Sequence, residues 1–119
     1  MPEAAAKHIV IVDDDPYILE ILERYLTGAH FQVSAVRRAS MARAILLRSH
    51  VDIVLADAHL PGENGIELTR AAAEFGIPTL IMTGDADWAI DRGAAPQDLL
   101  VKPFGPAHAE RRILAALAA

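Results

Sequence analysis

Five side chains with related chemistry stand directly after short apolar runs of this 119-residue chain. They are Asp13, Asp14, Asp57, Thr83 and Lys102. Carboxylates gathered in one place repel each other, and a hard divalent cation such as Mg²⁺ relieves that repulsion because it binds carboxylate oxygens. A nucleophilic carboxylate surrounded by a metal, a hydroxyl and an ammonium group suits phosphoryl transfer, because these groups stabilise charge on the phosphoryl oxygens. The residue types therefore predict such a site, provided that the fold brings them together.

The apolar runs have the length of strands, and segments with helical spacing separate them. The predicted strands cover residues 8–12, 31–36, 51–56, 77–82 and 98–101. The predicted helices cover residues 16–28, 40–49, 65–75, 85–92 and 106–119. This alternation predicts an α/β fold with one parallel sheet, and runs that are apolar throughout indicate strands buried on both faces. Functional sites of such sheets lie beyond the carboxyl ends of the strands, where the five side chains would meet.

Local signals mark the ends and the apolar face of the helices. Asp15 and Ser40 are the predicted N-caps of the first two helices, and Gly28 is the predicted exit of the first. Apolar and aromatic residues of the first helix recur at the spacing of a single helix face. They are Tyr17, Ile18, Ile21, Leu22, Tyr25 and Leu26.

Composition limits the classes of function open to the chain. Sixteen acidic residues against eleven basic ones give a net charge of −5, so neither nucleic acid nor a membrane surface is an expected partner. The absence of cysteine excludes a disulfide scaffold, a thiol nucleophile and a thiolate metal site. Residues 1–7 show no signal-peptide pattern, and no apolar run is long enough to span a bilayer. We therefore expect one soluble, cytoplasmic domain over residues 1–119.

Four segments jointly resemble the receiver domain of two-component response regulators. They are IVIVDDDP at 9–16, DIVLADAHLPGENGIEL at 52–68, PTLIMTG at 78–84 and LLVKPF at 99–104. The resemblance extends from Lys7 to the last helix. It implies a (βα)₅ flavodoxin-like, doubly wound fold with five parallel strands and a core over about residues 7–118. Because the chain ends with the fifth helix, we expect no effector domain.

The resemblance also implies a role for each residue at the strand ends. Asp57 matches the phosphoacceptor. Asp13 and Asp14 match the acidic pair that holds Mg²⁺, with Asp57 and the backbone carbonyl of His59 completing the protein ligands. Thr83 and Lys102 match the hydroxyl and the ammonium group that contact the phosphoryl group. Pro61 and Gly65 match residues that shape the loop after the phosphoacceptor, and Pro103 matches a proline that follows a cis peptide bond.

Such a domain implies partners rather than a turnover reaction. The resemblance predicts that the chain accepts a phosphoryl group from a sensor histidine kinase or a histidine phosphotransfer protein. It would then signal by binding an unknown downstream protein. We therefore do not expect a turnover enzyme, although the domain would promote its own phosphorylation and dephosphorylation.

Two features depart from the pattern of that family. Leu99 occupies a position that is usually aromatic and that works together with Thr83 as a switch. The segment after Thr83 leaves only residues 85–92 for the fourth helix, which predicts a short or irregular helix. Trp88 in this segment is predicted to cover the sheet. Four arginines are predicted to lie on solvated faces, namely Arg37, Arg38, Arg111 and Arg112.

The rim of the predicted site carries one basic and one acidic side chain. His59 lies two residues beyond Asp57, and Asp85 lies two residues beyond Thr83. We predict that His59 and Asp85 approach each other and screen a phosphoryl group from water. A free His59 that orients water, or two side chains that both point to solvent, are the alternatives.

Three other functions compete with this interpretation. A phosphatase of the haloacid-dehalogenase type also places Asp-x-Asp after its first strand, as Asp13 and Asp15 stand here, but it leaves Asp57 unexplained. A flavin carrier needs a phosphate-binding loop, which three consecutive aspartates would disfavour. A degenerate receiver would bind partners without phosphorylation. A phosphatase assay, the absence of yellow colour and a phosphorylation assay distinguish these alternatives.

Overall fold

The computed structural model describes residues 6–119, in which strands and helices alternate along the chain. The strands are β1 (His8–Val12), β2 (Gln32–Val36), β3 (Ile53–Asp57), β4 (Thr79–Thr83) and β5 (Leu99–Val101). The helices are α1 (Pro16–Gly28), α2 (Ala39–Arg48), α3 (Gly65–Glu74), α4 (Ala86–Asp91) and α5 (Pro106–Ala118), with a 3₁₀ helix at Pro96–Asp98. The expectation that no signal peptide is present concerns mainly residues 1–5, which lie outside this range.

All neighbouring strands are parallel, and the sheet has the order β2-β1-β3-β4-β5. The chain moves outward from β1 to β2, crosses back to β3 and then continues to the other edge, which is the doubly wound arrangement. The predicted α/β fold is confirmed, and so is the short fourth helix, because α4 has only six residues.

Two apolar layers cover the two faces of the sheet. Ile9 and Ile11 of β1 face α1 and α5, whereas Val10 and Val12 face α2 and α3. All residues of β1 and β3 are buried, as expected for strands covered on both sides. A pair of central strands held this firmly gives the residues at their carboxyl ends a fixed backbone position.

Of two local predictions for helix ends, the cap of α2 is wrong and the end of α1 is confirmed. Ser40 does not cap α2, which begins one residue earlier; the Glu63 carboxylate instead accepts a hydrogen bond from the backbone amide of Ala39. This cap comes from the loop after β3, so no pattern near Ser40 could indicate it. Helix α1 does end at Gly28, but the left-handed residue after the helix is His30, with φ 72°.

The apolar face predicted for α1 is only partly buried. Leu22 and Leu26 are buried together with Leu19, whereas Tyr17 and Ile21 are exposed. Helix α1 touches the sheet along one stripe and leaves the rest of its apolar residues at the surface. Among residues 6–119, no helix is both long and apolar enough to cross a membrane.

Candidate functional site

The carboxyl ends of four strands bring the predicted residues to one edge of the sheet. Asp13 follows β1, Asp57 and Thr83 are the last residues of β3 and β4, and Lys102 follows β5. The ladder continues past the strand ends, since the Lys102 amide donates to the Thr83 carbonyl at 2.7 Å and the Asp13 amide donates to the Val36 carbonyl at 3.2 Å. Backbone pairing therefore fixes where each of these side chains starts.

Three carboxylates form a compact group at this edge. One oxygen from each of Asp13, Asp14 and Asp57 lies within 4.8 Å of the others. Asp13 is fully buried and Asp57 is 5% exposed, while Asp14 is the most accessible of the three. Opposite oxygen ligands of Mg²⁺ lie about 4.2 Å apart, given bond lengths of about 2.1 Å. The donor type and the spacing of these carboxylates therefore fit a hard divalent cation.

Lys102 supplies positive charge to this group. Its Nζ donates to Oδ2 of Asp13 at 2.9 Å and lies 3.6 Å from Oδ2 of Asp57. Partial burial opposes the charged ammonium, but the hydrogen bond and the attraction of the two carboxylates raise the pKa of Lys102 overall. Burial raises the pKa of Asp13. The hydrogen bond from the Asp15 amide and the ammonium group of Lys102 offset this rise only in part. The site thus combines a stable ammonium with a carboxylate that is costly to keep charged.

The backbone around Asp57 holds its carboxylate in one orientation. Oδ1 of Asp57 accepts a hydrogen bond from the His59 amide at 3.0 Å. Gly65 packs directly against the same strand end, because a Cβ at this position would lie only 1.8 Å from the Asp57 carbonyl oxygen. The first residue of α3 must therefore be glycine for the loop to close over the strand. The Lys102–Pro103 peptide bond is cis.

The Thr83 hydroxyl lies buried beside the start of α4. It donates to the Asp85 carbonyl at 3.1 Å and accepts from the Asp85 amide at 3.0 Å. Nε2 of His59 lies 3.1 Å from the same hydroxyl oxygen. Thr83 is thus connected both to the loop after β3 and to the first turn of α4.

The predicted contact between the side chains of His59 and Asp85 is wrong, because no ion pair joins them in the described part of the chain. Oδ1 of Asp85 instead accepts from the Trp88 amide at 3.0 Å and caps α4. The imidazole of His59 packs on the Trp88 ring, with centroids 4.1 Å apart. The Asp85 carboxylate is used as a cap because the first amides of a helix have no partner within the helix.

Leu99 and Trp88 occupy the region of the expected switch. Leu99 is buried in an apolar cluster with Ile81 and Ala89, and Trp88 packs half-buried against this cluster. Arg92 lies over the Trp88 ring at 4.0 Å. The indole therefore covers a small cluster beside β4 and β5, in line with the predicted covering role, but its stack on His59 was not predicted.

Two arginines expected on solvated faces contact the backbone. Arg37 donates to the carbonyl of Asp14 at 3.0 Å, and Arg112 donates to the carbonyls of Leu99 and Gln97 at 2.7 and 2.8 Å. Arg37 thereby supports the loop that carries an acidic residue of the site. No sequence signal identifies these contacts, since each joins segments far apart in the chain.

Comparison with known proteins agrees with this architecture. The family model of the response regulator receiver domain matches residues 9–114. Regulatory protein VirG of Agrobacterium fabrum is 33% identical over 93% of this chain and 46% of its own length. The DNA-binding response regulator MtrA of Mycolicibacterium smegmatis is 33% identical over 93% of this chain and 50% of its own. The chain thus spans about half the length of the curated relatives it matches.

A solved structure of a receiver domain has a similar fold. A CheY-like response regulator receiver domain protein from Methanospirillum hungatei superposes with a TM-score of 0.83. It is 26% identical, and the match covers 95% of this chain and 94% of that protein. This match, like the family model, leaves the phosphatase and flavin-carrier alternatives without support. From its sheet order, its strand-end residues and these similarities, the chain belongs to the response regulator receiver domain family.

Proposed function

We propose that this receiver accepts a phosphoryl group on Asp57 and passes on the signal by changing how it binds another protein. The observation that carries the proposal is the position of the Asp57 carboxylate, which lies 3.6 Å from the Lys102 ammonium and beside two further acids. A carboxylate placed between an ammonium and a cation-binding group can serve as a nucleophile toward phosphorus.

The phosphoryl group passes from a histidine nitrogen to a carboxylate oxygen. An oxygen of the Asp57 carboxylate attacks the phosphorus of a phosphohistidine, and a P–O bond forms. The P–N bond breaks, and its electron pair returns to the imidazole nitrogen of the donor. The product is an acyl phosphate on Asp57, which water later cleaves to restore the carboxylate and release inorganic phosphate.

Each side chain around Asp57 has a task in this transfer. Lys102 keeps its proton despite partial burial, because Asp13 and Asp57 raise its pKa. Its ammonium group would then pair with the phosphoryl oxygens. The Thr83 hydroxyl would donate to a phosphoryl oxygen once it releases the Asp85 carbonyl. Asp13, Asp14, Asp57 and the backbone carbonyl of His59 would hold Mg²⁺. When bound, Mg²⁺ supplies positive charge that stabilises the phosphoryl oxygens during transfer.

The partners follow from the chemistry of the donor and the charge of the chain. The donor is a phosphohistidine, on a sensor kinase or a phosphotransfer protein. The output is a protein–protein contact in the cytoplasm rather than turnover of a substrate. Nucleic acid is not the proposed partner, because acidic residues outnumber basic ones by sixteen to eleven.

Acetyl phosphate with Mg²⁺ tests the proposal without a cognate kinase. Intact mass spectrometry should show one added phosphoryl group on the wild-type chain and none on Asp57→Asn. Asp91→Asn, which changes an exposed acid of α4, should be phosphorylated like the wild type. Undiminished phosphorylation of Asp57→Asn would refute the acceptor assignment. Partner capture that ignores acetyl phosphate would instead favour a phosphorylation-independent receiver.

A further inference from the structure

The Thr83 hydroxyl has every one of its hydrogen-bonding positions in use. A hydroxyl carries one hydrogen and two lone pairs. The hydrogen points to the Asp85 carbonyl, and one lone pair accepts from the Asp85 amide. The second lone pair then faces Nε2 of His59, 3.1 Å away, and accepts a hydrogen bond from the tautomer that carries its proton on Nε2. In this resting arrangement Thr83 has no hydrogen left to offer to a phosphoryl oxygen.

A phosphoryl group on Asp57 would therefore compete with the first turn of α4. For Thr83 to donate to a phosphoryl oxygen, it must release the Asp85 carbonyl. That carbonyl also accepts the Ala89 amide at 3.2 Å, and the Asp85 carboxylate caps the helix at the Trp88 amide. Since α4 has only six residues, its stability depends on such contacts rather than on helix propensity.

His59 contacts both the Thr83 hydroxyl and a residue of α4. Its Nε2 contacts Thr83, and its ring packs on Trp88 with centroids 4.1 Å apart and planes tilted by 35°. The Arg92 guanidinium also lies over the indole, 4.0 Å from its ring centroid. Leu99, which stands at the family's usual aromatic switch position, is buried and has no side-chain atom able to hydrogen-bond with Thr83.

We propose that His59 is the positioning residue that holds the Thr83 hydroxyl in its resting arrangement, and that the His59–Trp88 stack transmits the release of this hydroxyl to α4. The inference rests on the proposed phosphorylation of Asp57. The moving part is the start of α4, because the far end is tied to α3 by the hydrogen bond from Arg70 to the Arg92 carbonyl at 2.9 Å. Phosphorylation then loosens the stack and exposes the indole.

Trp88 makes this coupling measurable, because it is the single tryptophan of the chain. Intrinsic fluorescence and intact mass are recorded on the same samples of the full chain, with Mg²⁺ alone and with Mg²⁺ plus acetyl phosphate. The expected result is a red shift of Trp88 emission that grows with the phosphorylated fraction. Mg²⁺ alone should produce little of this shift, and Asp57→Asn should show no response to acetyl phosphate.

Four variants separate the hydrogen bond from the stack. Thr83→Val keeps the shape of the side chain without the hydroxyl. At an equal phosphorylated fraction, the red shift of Trp88 emission should be absent in this variant. His59→Phe keeps a ring on Trp88 but cannot contact Thr83, so most of the shift should be lost while the resting spectrum stays near that of the wild type. His59→Gln keeps a donor without the ring and should start with an already red-shifted spectrum. His108→Ala changes an exposed histidine of α5 and should behave as the wild type.

The outcomes distinguish this inference from the function on which it rests. Absence of a phosphorylated mass would overturn both. A phosphorylated wild type with unchanged Trp88 emission would overturn the coupling alone, as would a wild-type shift in both His59→Phe and His59→Gln. Loss of the shift in those two variants, with the phosphorylated mass still present, would support it.

Discussion

The amino edge of the sheet, where its strands begin, and the carboxyl edge, where they end, both hold partly or fully buried ionisable side chains. Among the described residues, only the carboxyl edge gathers three carboxylates in one place. At the amino edge, His8 Nδ1 donates to the His50 carbonyl at 2.9 Å, and in the neutral ring Nε2 accepts from the Ser34 hydroxyl at 2.7 Å. Asp52 accepts from the His8 amide at 2.7 Å and from His50 Nε2 at 3.0 Å. At the carboxyl edge, three carboxylates face each other around one ammonium group.

The pKa values of two aspartates express this difference. Burial opposes the charge of Asp52, yet the His8 amide, His50 and Lys7 outweigh it and lower the pKa of Asp52. For Asp13, burial is the largest effect, and its pKa is raised in spite of Lys102. The groups around Asp52 thus favour its charged form. Burial disfavours the charged form of Asp13, and a bound cation would reduce this free-energy cost.

The largest expected effect comes from removing the ammonium group at the carboxyl edge. Lys102→Met leaves Asp13 buried without its partner, and loss of one member of a buried ion pair costs about 3 kcal/mol. Lys7→Met at the amino edge removes an exposed lysine 4.0 Å from Asp52 and should cost about 0.5 kcal/mol or less. Urea unfolding without added metal measures both values. Equal losses would remove the distinction between the two edges.

A cation should relieve the carboxyl edge and leave the amino edge unchanged. At about 100 times its Kd, Mg²⁺ should stabilise the fold by about 2.7 kcal/mol. Asp14→Asn should abolish this response, whereas Asp52→Asn should retain it. Thermal unfolding with and without Mg²⁺ provides the measurement. A wild-type melting temperature that is the same with and without Mg²⁺ would contradict the proposed cation site.

Backbone packing offers a third contrast, between two glycines at helix ends. Gly65→Ala places a methyl group against the Asp57 carbonyl and should destabilise the fold by about 1–3 kcal/mol, because the loop must shift. A Cβ at Gly28 would meet no atom of residues 6–119 within 4 Å, so Gly28→Ala should stabilise α1 by about 0.5 kcal/mol. Chemical denaturation of both variants tests this, and Gly65→Ala should also slow phosphorylation of Asp57. A neutral Gly65→Ala would mean that the loop after β3 is not tightly held.

The smallest expected effect is a pH dependence at the amino edge. The folded pKa of Asp52 lies below its unfolded value of about 3.9. Its charge therefore adds stability above that unfolded value, and this contribution is lost as the pH falls through the folded pKa. Urea unfolding between about pH 6 and pH 2 should show the wild type and Asp52→Asn converging toward the acid end. A constant difference would mean that the charge of Asp52 is not involved.

Patterns along the chain predicted most of the fold because they reflect local physics. Continuous apolar runs identified the strands to within two residues at most ends, since a strand buried on both faces tolerates few polar residues. The face of α1 was less certain, because spacing alone does not show how wide a stripe the sheet covers. Tyr17 and Ile21 fit the apolar pattern but remain exposed.

The sequence by itself determined which residues stand at the carboxyl edge, because parallel strands must end together and residues that follow them must share that edge. Only the tertiary structure decided what these side chains contact. The Glu63 cap on α2, the Arg37 bond to the Asp14 carbonyl and the packing of His59 on Trp88 each join segments separated by more than twenty residues. Such contacts depend on distances and rotamers set by packing, and no periodicity or local motif encodes them.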